Sequence, residues 1–280
     1  MSEQKVHIEK GSVQETLMIP LYGRKLCADV FSTYYQDKYA EEVCNSIDYD
    51  FSHLESMKGN TMYQFASLEA AARELDMIWE IKDYLKTHPN AAVVNLGCGL
   101  NMTGRSADNG TCKIINIDLP DVIESRNEII PAGEREENIA ADLNDFSWMD
   151  KIDASEGAVL YAAGVFCYFT QEQIRSMVLA MVDKFPGGRL VFDSVGKFGR
   201  DKLMKKTIEA AGMTDVGGLF CVKDDSDLEG WSDKITVSRK SYMKGYYPLE
   251  DPNIKGIHKF LAMLCDKMAK MMINRMDFAE

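Results

Sequence analysis

Two short runs, AAVVNLGCGL at residues 91–100 and KIINID at 113–118, narrow the folds open to this chain more than any other feature. Each is apolar and rich in β-branched residues, the texture of strands buried on both faces of a parallel sheet. The first closes on Gly97 and Gly99, where the backbone can take positive φ and approach a ligand closely. The second closes on Asp118, nineteen residues after Gly99, a place from which a carboxylate accepts hydrogen bonds from two ribose hydroxyls. Glycine turn and strand-end acid together point to a nucleoside-containing cofactor. The plainer alternative is a βα turn whose glycines serve geometry alone, with Asp118 capping a helix that starts at Leu119 and Pro120.

The remainder of the chain extends this pattern. Further strands are expected at 138–141, 158–163, 189–193, 219–223 and 234–241, with helices at 119–130, 170–184 and 200–211 between most of them. Alternating β and α implies an α/β fold, a mostly parallel sheet with helices on both faces. The strand around Ile235 follows its predecessor too closely for a long crossover and is expected to run antiparallel. The tail from Ile254 to Met276 reads as one amphipathic helix. Before Pro89 the pattern is helical from about Ser12. Phe65, Leu68, Ala72, Leu75 and Trp79 mark an apolar face, with a polar stripe of Glu69, Arg73, Asp76 and Glu80 beside it.

The identity of the cofactor turns on one position. A dinucleotide fingerprint, G-x-G-x-x-G, needs glycine at 102, and the chain has Met102, with glycine returning only at Gly104. S-adenosylmethionine carries no phosphate, so it needs the turn and the ribose acid without the phosphate cradle. That favours the methyl donor over a nicotinamide dinucleotide. Asp142, in IAADLND after the third strand, is placed to accept from the adenine amino group, although DLND is also a good turn-capping sequence. Cys98, Leu119 and Leu143 flank these positions and are expected to line the same cofactor.

Composition limits the partners. A formal net charge of −12, with no long Lys/Arg block, argues against nucleic acid. Seven scattered cysteines without a CxxC pair fit a reducing compartment, and the longest apolar run, 157–169, is too short to span a bilayer. The expectation is a cytoplasmic protein, neither secreted nor membrane-inserted, whose oligomeric state the sequence does not fix.

The blocks ETLMIPLYGRKLCADVF, VVNLGCGLN, IDLPDVIESRNEIIP and AAGVFCYFTQEQI resemble the leucine carboxyl methyltransferase family, in particular its polyketide-synthesis O-methyltransferase branch. The resemblance implies a Rossmann-like class I methyltransferase: a seven-stranded, mostly parallel sheet with its last strand inserted antiparallel. It implies an N-terminal helical lid at 1–89 over an S-adenosylmethionine-binding core at 90–280. It also implies that Arg73 holds the donor's methionine carboxylate, and that Tyr22 and Arg24, in PLYGR, lie near the substrate pocket. Rival roles for the arginines are a pair with Glu69 one turn away for Arg73, and a buried tie between lid and core for Arg24. Where many members read L-D-T-R this chain has Leu100, Asn101, Met102 and Thr103, and where many read A-E-G it has Ala162, Ala163 and Gly164. Backbone carbonyls near Gly97 and Ala163 would then face the donor's ammonium group.

Methyl transfer is a direct displacement that needs alignment and exclusion of water. A carboxylate acceptor needs no base, whereas a hydroxyl needs one. Tyr168, just past the fourth strand, is the best-placed candidate for a catalytic role, and His7 is the one histidine in a segment able to fold over a pocket. The function expected is O-methylation of a carboxyl or hydroxyl oxygen on a small molecule. The alternatives are a donor-binding regulator that has lost catalysis and a nicotinamide-dependent oxidoreductase.

Overall fold

The computed structural model describes residues 5–7, 13–205, 218–223 and 225–280. Short strands β1 (Val6–His7) and β2 (Ile47–Asp48) pair in parallel. The main sheet holds seven strands: β3 (Ala92–Leu96), β4 (Lys113–Asp118), β5 (Glu136–Ala140), β6 (Ala158–Ala162), β7 (Arg189–Ser194), β8 (Ile235–Ser241) and β9 (Met272–Phe278). Their spatial order is β5-β4-β3-β6-β7-β9-β8. The first five run parallel, while β9 is antiparallel to both β7 and β8. Chain order therefore reverses between β3 and β6, the switch point outside which ligands bind in open α/β sheets.

Alternation along the strands builds two cores. Ala92, Val94, Leu96, Leu160, Leu190, Phe192 and Met276 point to one face, while Val93, Ile114, Val159, Tyr161, Val191 and Ile273 point to the other. The first face is covered by helix α7 (Gln171–Lys184), through Ile174, Met177, Val178 and Met181, and by the 3₁₀ turn around Trp148. The second is covered by α4 (Thr61–Leu85), which lays Ala72, Met77, Ile81 and Leu85 on the sheet. Asn60 starts α4 by accepting from the N–H groups of Met62 and Tyr63 at 2.9 and 3.1 Å. Helix α1 (Val13–Val30) packs on the outer side of α4, where Leu68 and Ala71 meet Cys27, Phe31 and Tyr35. Two further helices, α2 (Lys38–Ser46) and α3 (Ser52–Ser56), complete the N-terminal layer. Much of the polar stripe of α4 is buried: Asp76 and Glu80 are 1% and 3% exposed, bonded to Tyr246 and, for Glu80, also paired with Arg189 and Arg275.

Three expectations are corrected. The strand inserted antiparallel is β9; β8, around Ile235, lies at the sheet edge and runs in the same direction as β7. The tail is only partly helical, with α8 (Gly256–Leu264) and a π turn at Cys265–Ala269, after which left-handed Lys270 (φ 49°) turns the chain into β9. Residues 219–223 join no sheet. Leu219 makes an isolated bridge to Thr170, and Phe220 and Val222 donate to the carbonyls of Phe169 and Val195. Of the helix expected at 200–211, the described part is a π turn at Gly199–Met204, and the rest lies outside the described residues. Among the described residues no helix is long and apolar enough to cross a membrane.

Candidate active site

At the carboxyl end of β3 the chain turns through Gly97 (φ 66°), Cys98 and Gly99 (φ 45°) into α5 (Thr103–Ala107). A Cβ on Gly97 would sit 2.6 Å from the side chain of Val165, in the loop after β6, so this backbone is bare because a neighbour presses against it. Asp118, at the end of β4, accepts the Gly99 N–H at 2.7 Å on one oxygen and the Leu119 N–H at 2.8 Å on the other. Burial pushes this carboxyl up, and the two N–H groups pull it back. Each oxygen keeps a lone pair for a ligand hydroxyl.

The opposite side of the turn is fixed by a residue that the sequence reading passed over. Arg126, on helix α6 (Pro120–Ile129), is 1% exposed and donates from Nη1 to the carbonyls of Gly99 at 2.7 Å and Asn101 at 2.9 Å. Asp118 thus takes the N–H and Arg126 the C=O of the same glycine. A signal for it was present: Val122, Arg126 and Ile129 share one helix face, so the arginine occupies a core position. Met102, at the place of a third fingerprint glycine, is buried among Met18, Leu100 and Ile130. Gly104 does the packing instead, since a Cβ there would meet Ile114 at 2.8 Å.

Arg73 reaches from α4 to the carboxyl ends of β6 and β7. Its Nη1 lies 3.3 Å from Asp193 Oδ2, while Asp193 Oδ1 accepts the Gly164 N–H at 2.6 Å. Gly164 (φ 72°) leaves room for the guanidinium, which a Cβ would approach to 2.9 Å. The partner of Arg73 is thus Asp193, on the second of those strands. Glu69, one turn earlier, accepts instead from the Cys265 thiol at 3.5 Å. Burial pushes the Glu69 carboxyl up to about 7, against the pull of Cys265 and Arg73. Burial and the nearby charges of Glu69 and Asp193 raise buried Tyr242 well above its usual value. Tyr168 packs on Leu219, and burial raises its hydroxyl. Ala163, Gly164, Val165, Cys167 and Tyr168, in the loop after β6, and Glu69 and Arg73 on α4 are all partly exposed.

The family model for leucine carboxyl methyltransferase matches residues 27–182, more than half of the chain. The chain belongs to the leucine carboxyl methyltransferase family. As a member, it is an S-adenosylmethionine-dependent methyltransferase. The tetracenomycin polyketide synthesis O-methyltransferase TcmP of Streptomyces glaucescens is 31% identical over 190 residues, covering 67% of this chain and 68% of the relative. Among solved structures, a DUF574-family protein from Streptomyces avermitilis has a TM-score of 0.55 at 10% identity, covering 92% of this chain and 97% of its own. The plantazolicin methyltransferase BpumL, solved with S-adenosylhomocysteine, has a TM-score of 0.51 at 13% identity, covering 96% and 100%. At such identities these two likenesses speak for the Rossmann-like fold.

In this methyltransferase the other expected site residues are dispersed. Asp142 is exposed after β5, and its Oδ1 accepts the N–H of Asn144 at 2.9 Å and its side-chain amide at 3.0 Å, so it shapes the local turn. Leu143 is buried in the core beneath it, while Leu119 is 46% exposed beside Asp118. Cys98 is buried, which pushes its thiol up to about 12. Arg24 is buried and ties α1 inward: Nε lies 3.1 Å from Asp37 and 3.5 Å from Glu74, and Nη2 donates to the Leu100 carbonyl at 3.3 Å. Glu74 in turn accepts from Thr103 at 3.0 Å and from Tyr35. Tyr22 is buried, stacked on Phe51 at 5.4 Å and bonded to Glu55. Neither Tyr22 nor Arg24 is hydrogen-bonded to Arg73, Asp193 or Glu69. The His7 side chain lies outside what the structure describes.

Proposed function

We propose that this chain transfers the methyl group of S-adenosylmethionine to an oxygen of a small-molecule acceptor, with 90–280 as the donor-binding core and residues 1–89 as the cap over it. The observation that carries this is the Asp118 carboxylate, fastened by Gly99 and Leu119 at the carboxyl end of β4 with lone pairs remaining for a ribose. Positive φ at Gly97 and Gly99, with Val165 and Leu17 packed against them, keeps this turn free of side chains, which suits the close backbone approach that an adenosyl sulfonium needs. The relative named for polyketide synthesis supports a small acceptor.

When bound, the donor supplies a methyl carbon already activated by its sulfonium, so the protein needs to align and to exclude water. Asp118 grips the ribose, with Leu119 and Cys98 beside it, and Asp142 and Leu143 stand at the adenine end. Arg73, steadied by Asp193, faces the methionine carboxylate, and the carbonyls near Gly97 and Ala163 face the ammonium group. Tyr168 borders the acceptor. Tyr22 and Arg24 act on the cap: through Leu100, Arg24 couples α1 to the glycine turn.

Isothermal calorimetry and thermal shift with S-adenosylmethionine, S-adenosylhomocysteine and NAD test this, since a ligand selective for the folded state raises the melting temperature. Micromolar binding of both sulfur compounds with none of NAD is expected. A shift with NAD alone would refute the proposal.

A further inference from the structure

The proposed donor ends in a zwitterion, with a carboxylate and an ammonium on one carbon. Arg73 answers the first. The second has only backbone carbonyls in that reading, and a cation drawn out of water needs an opposite charge. Strand β6 supplies none, since it runs out through Ala162, Ala163 and Gly164. The neighbouring strand does. Pairing of Ala162 with Phe192 brings Asp193 of β7 beside that end, where Asp193 Oδ1 accepts the Gly164 N–H at 2.6 Å. Val165, the next residue of the loop, packs against Gly97, so Asp193 and the glycine turn border the same loop. The other oxygen, Oδ2, meets Arg73 Nη1 at 3.3 Å. Charge-assisted N–H···O bonds are normally about 2.7–2.9 Å, so this pair is loose. The Arg73 and Asp193 side chains are 25% and 10% exposed, open to a ligand yet shielded enough that leaving either charge unpaired is costly.

We propose that Asp193 binds the donor's ammonium group, and that the zwitterion inserts into the Arg73–Asp193 pair, exchanging one internal ion pair for two with the ligand. This rests on the donor-binding reading and deepens it. When Arg73 turns to the ligand carboxylate, Asp193 Oδ2 loses its cation while Oδ1 stays on the Gly164 N–H. The ammonium takes the place of the guanidinium, and the net charge of the site is unchanged. Carboxylate and ammonium share a carbon, so a ligand held by Arg73 carries its ammonium next to the carboxylate that Arg73 has left. Gly164 is part of the device: a Cβ there would come within 2.9 Å of the Arg73 guanidinium, which needs that space to turn. The pair selects an intact amino acid. A carboxylate alone strands Asp193, and an ammonium alone strands Arg73. Glu69, one turn before Arg73 on α4, is the competing acid. It is engaged by the Cys265 thiol at 3.5 Å, and burial pushes it up to about 7, which makes it the weaker counter-charge at neutral pH.

Calorimetry with S-adenosylhomocysteine and its desamino analogue, in which hydrogen replaces the ammonium group, tests this. Wild type should bind the desamino compound at least about tenfold more weakly. Asp193→Asn keeps an acceptor for the Gly164 N–H and removes the charge. It should weaken S-adenosylhomocysteine by about tenfold or more and leave the desamino compound within about threefold, so that the discrimination disappears. Glu69→Gln should retain it. If Asp193 merely positioned Arg73, the two compounds would lose affinity equally, because both keep the carboxylate. Equal losses, no loss, or discrimination abolished by Glu69→Gln in place of Asp193→Asn overturns the proposal. Circular dichroism checks folding, and Asp193→Ser is a second way to remove the charge should the Asn variant not fold. Equal affinity of wild type for the two compounds overturns the proposal without any variant. If wild type fails to bind S-adenosylhomocysteine at all, the donor reading itself fails, and the first titration separates that outcome.

Discussion

Replacing Asp118 tests the donor site at its anchor. The carboxylate holds four hydrogen bonds in the proposed complex: two from backbone, at 2.7 and 2.8 Å, and two from the ribose. Hydrogen bonds to a charged acceptor contribute about 1.5–3 kcal/mol each. Because Asp118 is partly exposed, water solvates it in the free protein, and the lower figure applies to each ribose bond. Asp118→Ala should therefore cost about 3 kcal/mol of binding, somewhat over a hundredfold in Kd. Asp118→Asn is more diagnostic: its single acceptor oxygen faces two N–H donors, so its amide must confront either Gly99 or Leu119. At least a tenfold loss is expected there too. Calorimetric titration with S-adenosylhomocysteine reads both variants, with circular dichroism to confirm folding. Affinity within threefold of wild type in both would refute the reasoning. Since burial raises the Asp118 pKa and the ionised form binds, wild-type affinity should weaken as pH falls through that raised value.

Two further predictions concern stability. Arg126→Met strips the Gly99 and Asn101 carbonyls of their buried donor, at a cost of about 3 kcal/mol; urea unfolding should show it, together with weakened S-adenosylhomocysteine binding, and an unchanged midpoint would deny Arg126 its role in shaping the turn. Asp76 is buried, accepts the Tyr246 N–H at 2.9 Å on one oxygen, has no partner on the other, and is pushed up to about 7. Its folded pKa is raised, so its contribution to stability is complete below about 4 and is lost as pH rises through about 7. Asp76→Asn should remove that loss, raising the melting temperature at pH 8 by more than at pH 5; an equal change at both pH values would count against it.

The sequence made the donor half legible because its signals are local. A strand, two glycines and an acid lie within 28 residues, and parallel pairing of β3 with β4 brings Leu96 beside Ile117. The other end of the mouth depends on long-range meetings that no local pattern announces: Arg73 meets Asp193 across 120 residues, and Glu69 meets Cys265 across 196. The family resemblance implied that one strand is inserted antiparallel but not which residues form it; the strand spacing put it around Ile235, and it is β9. In MMINRMDF the spacing of methionines mimics a helix, while burial of Asn274, Met276 and Phe278 follows the period of two seen in the sheet. Residues 219–223 have the composition of a strand because they are buried, yet β9 already occupies the edge of β7 from Arg189 to Ser194. The polar stripe of α4 was visible as a stripe; that it is largely buried follows from partners far along the chain, Arg189, Asp193, Tyr246 and Cys265, which close over it.

The insertion of β9 between β7 and β8 imposes an order on assembly. During synthesis β8 emerges first but has no direct place beside β7; both must wait for the strand that comes last and pairs with each of them. Until then two raw edges stay open to solvent and to other nascent chains, a non-local closure of the kind that slows folding and invites association. Arg73 meets Asp193, and Glu69 meets Cys265, at that same junction, so this end of the sheet mouth can be completed only after the glycine turn and Asp118 at the other.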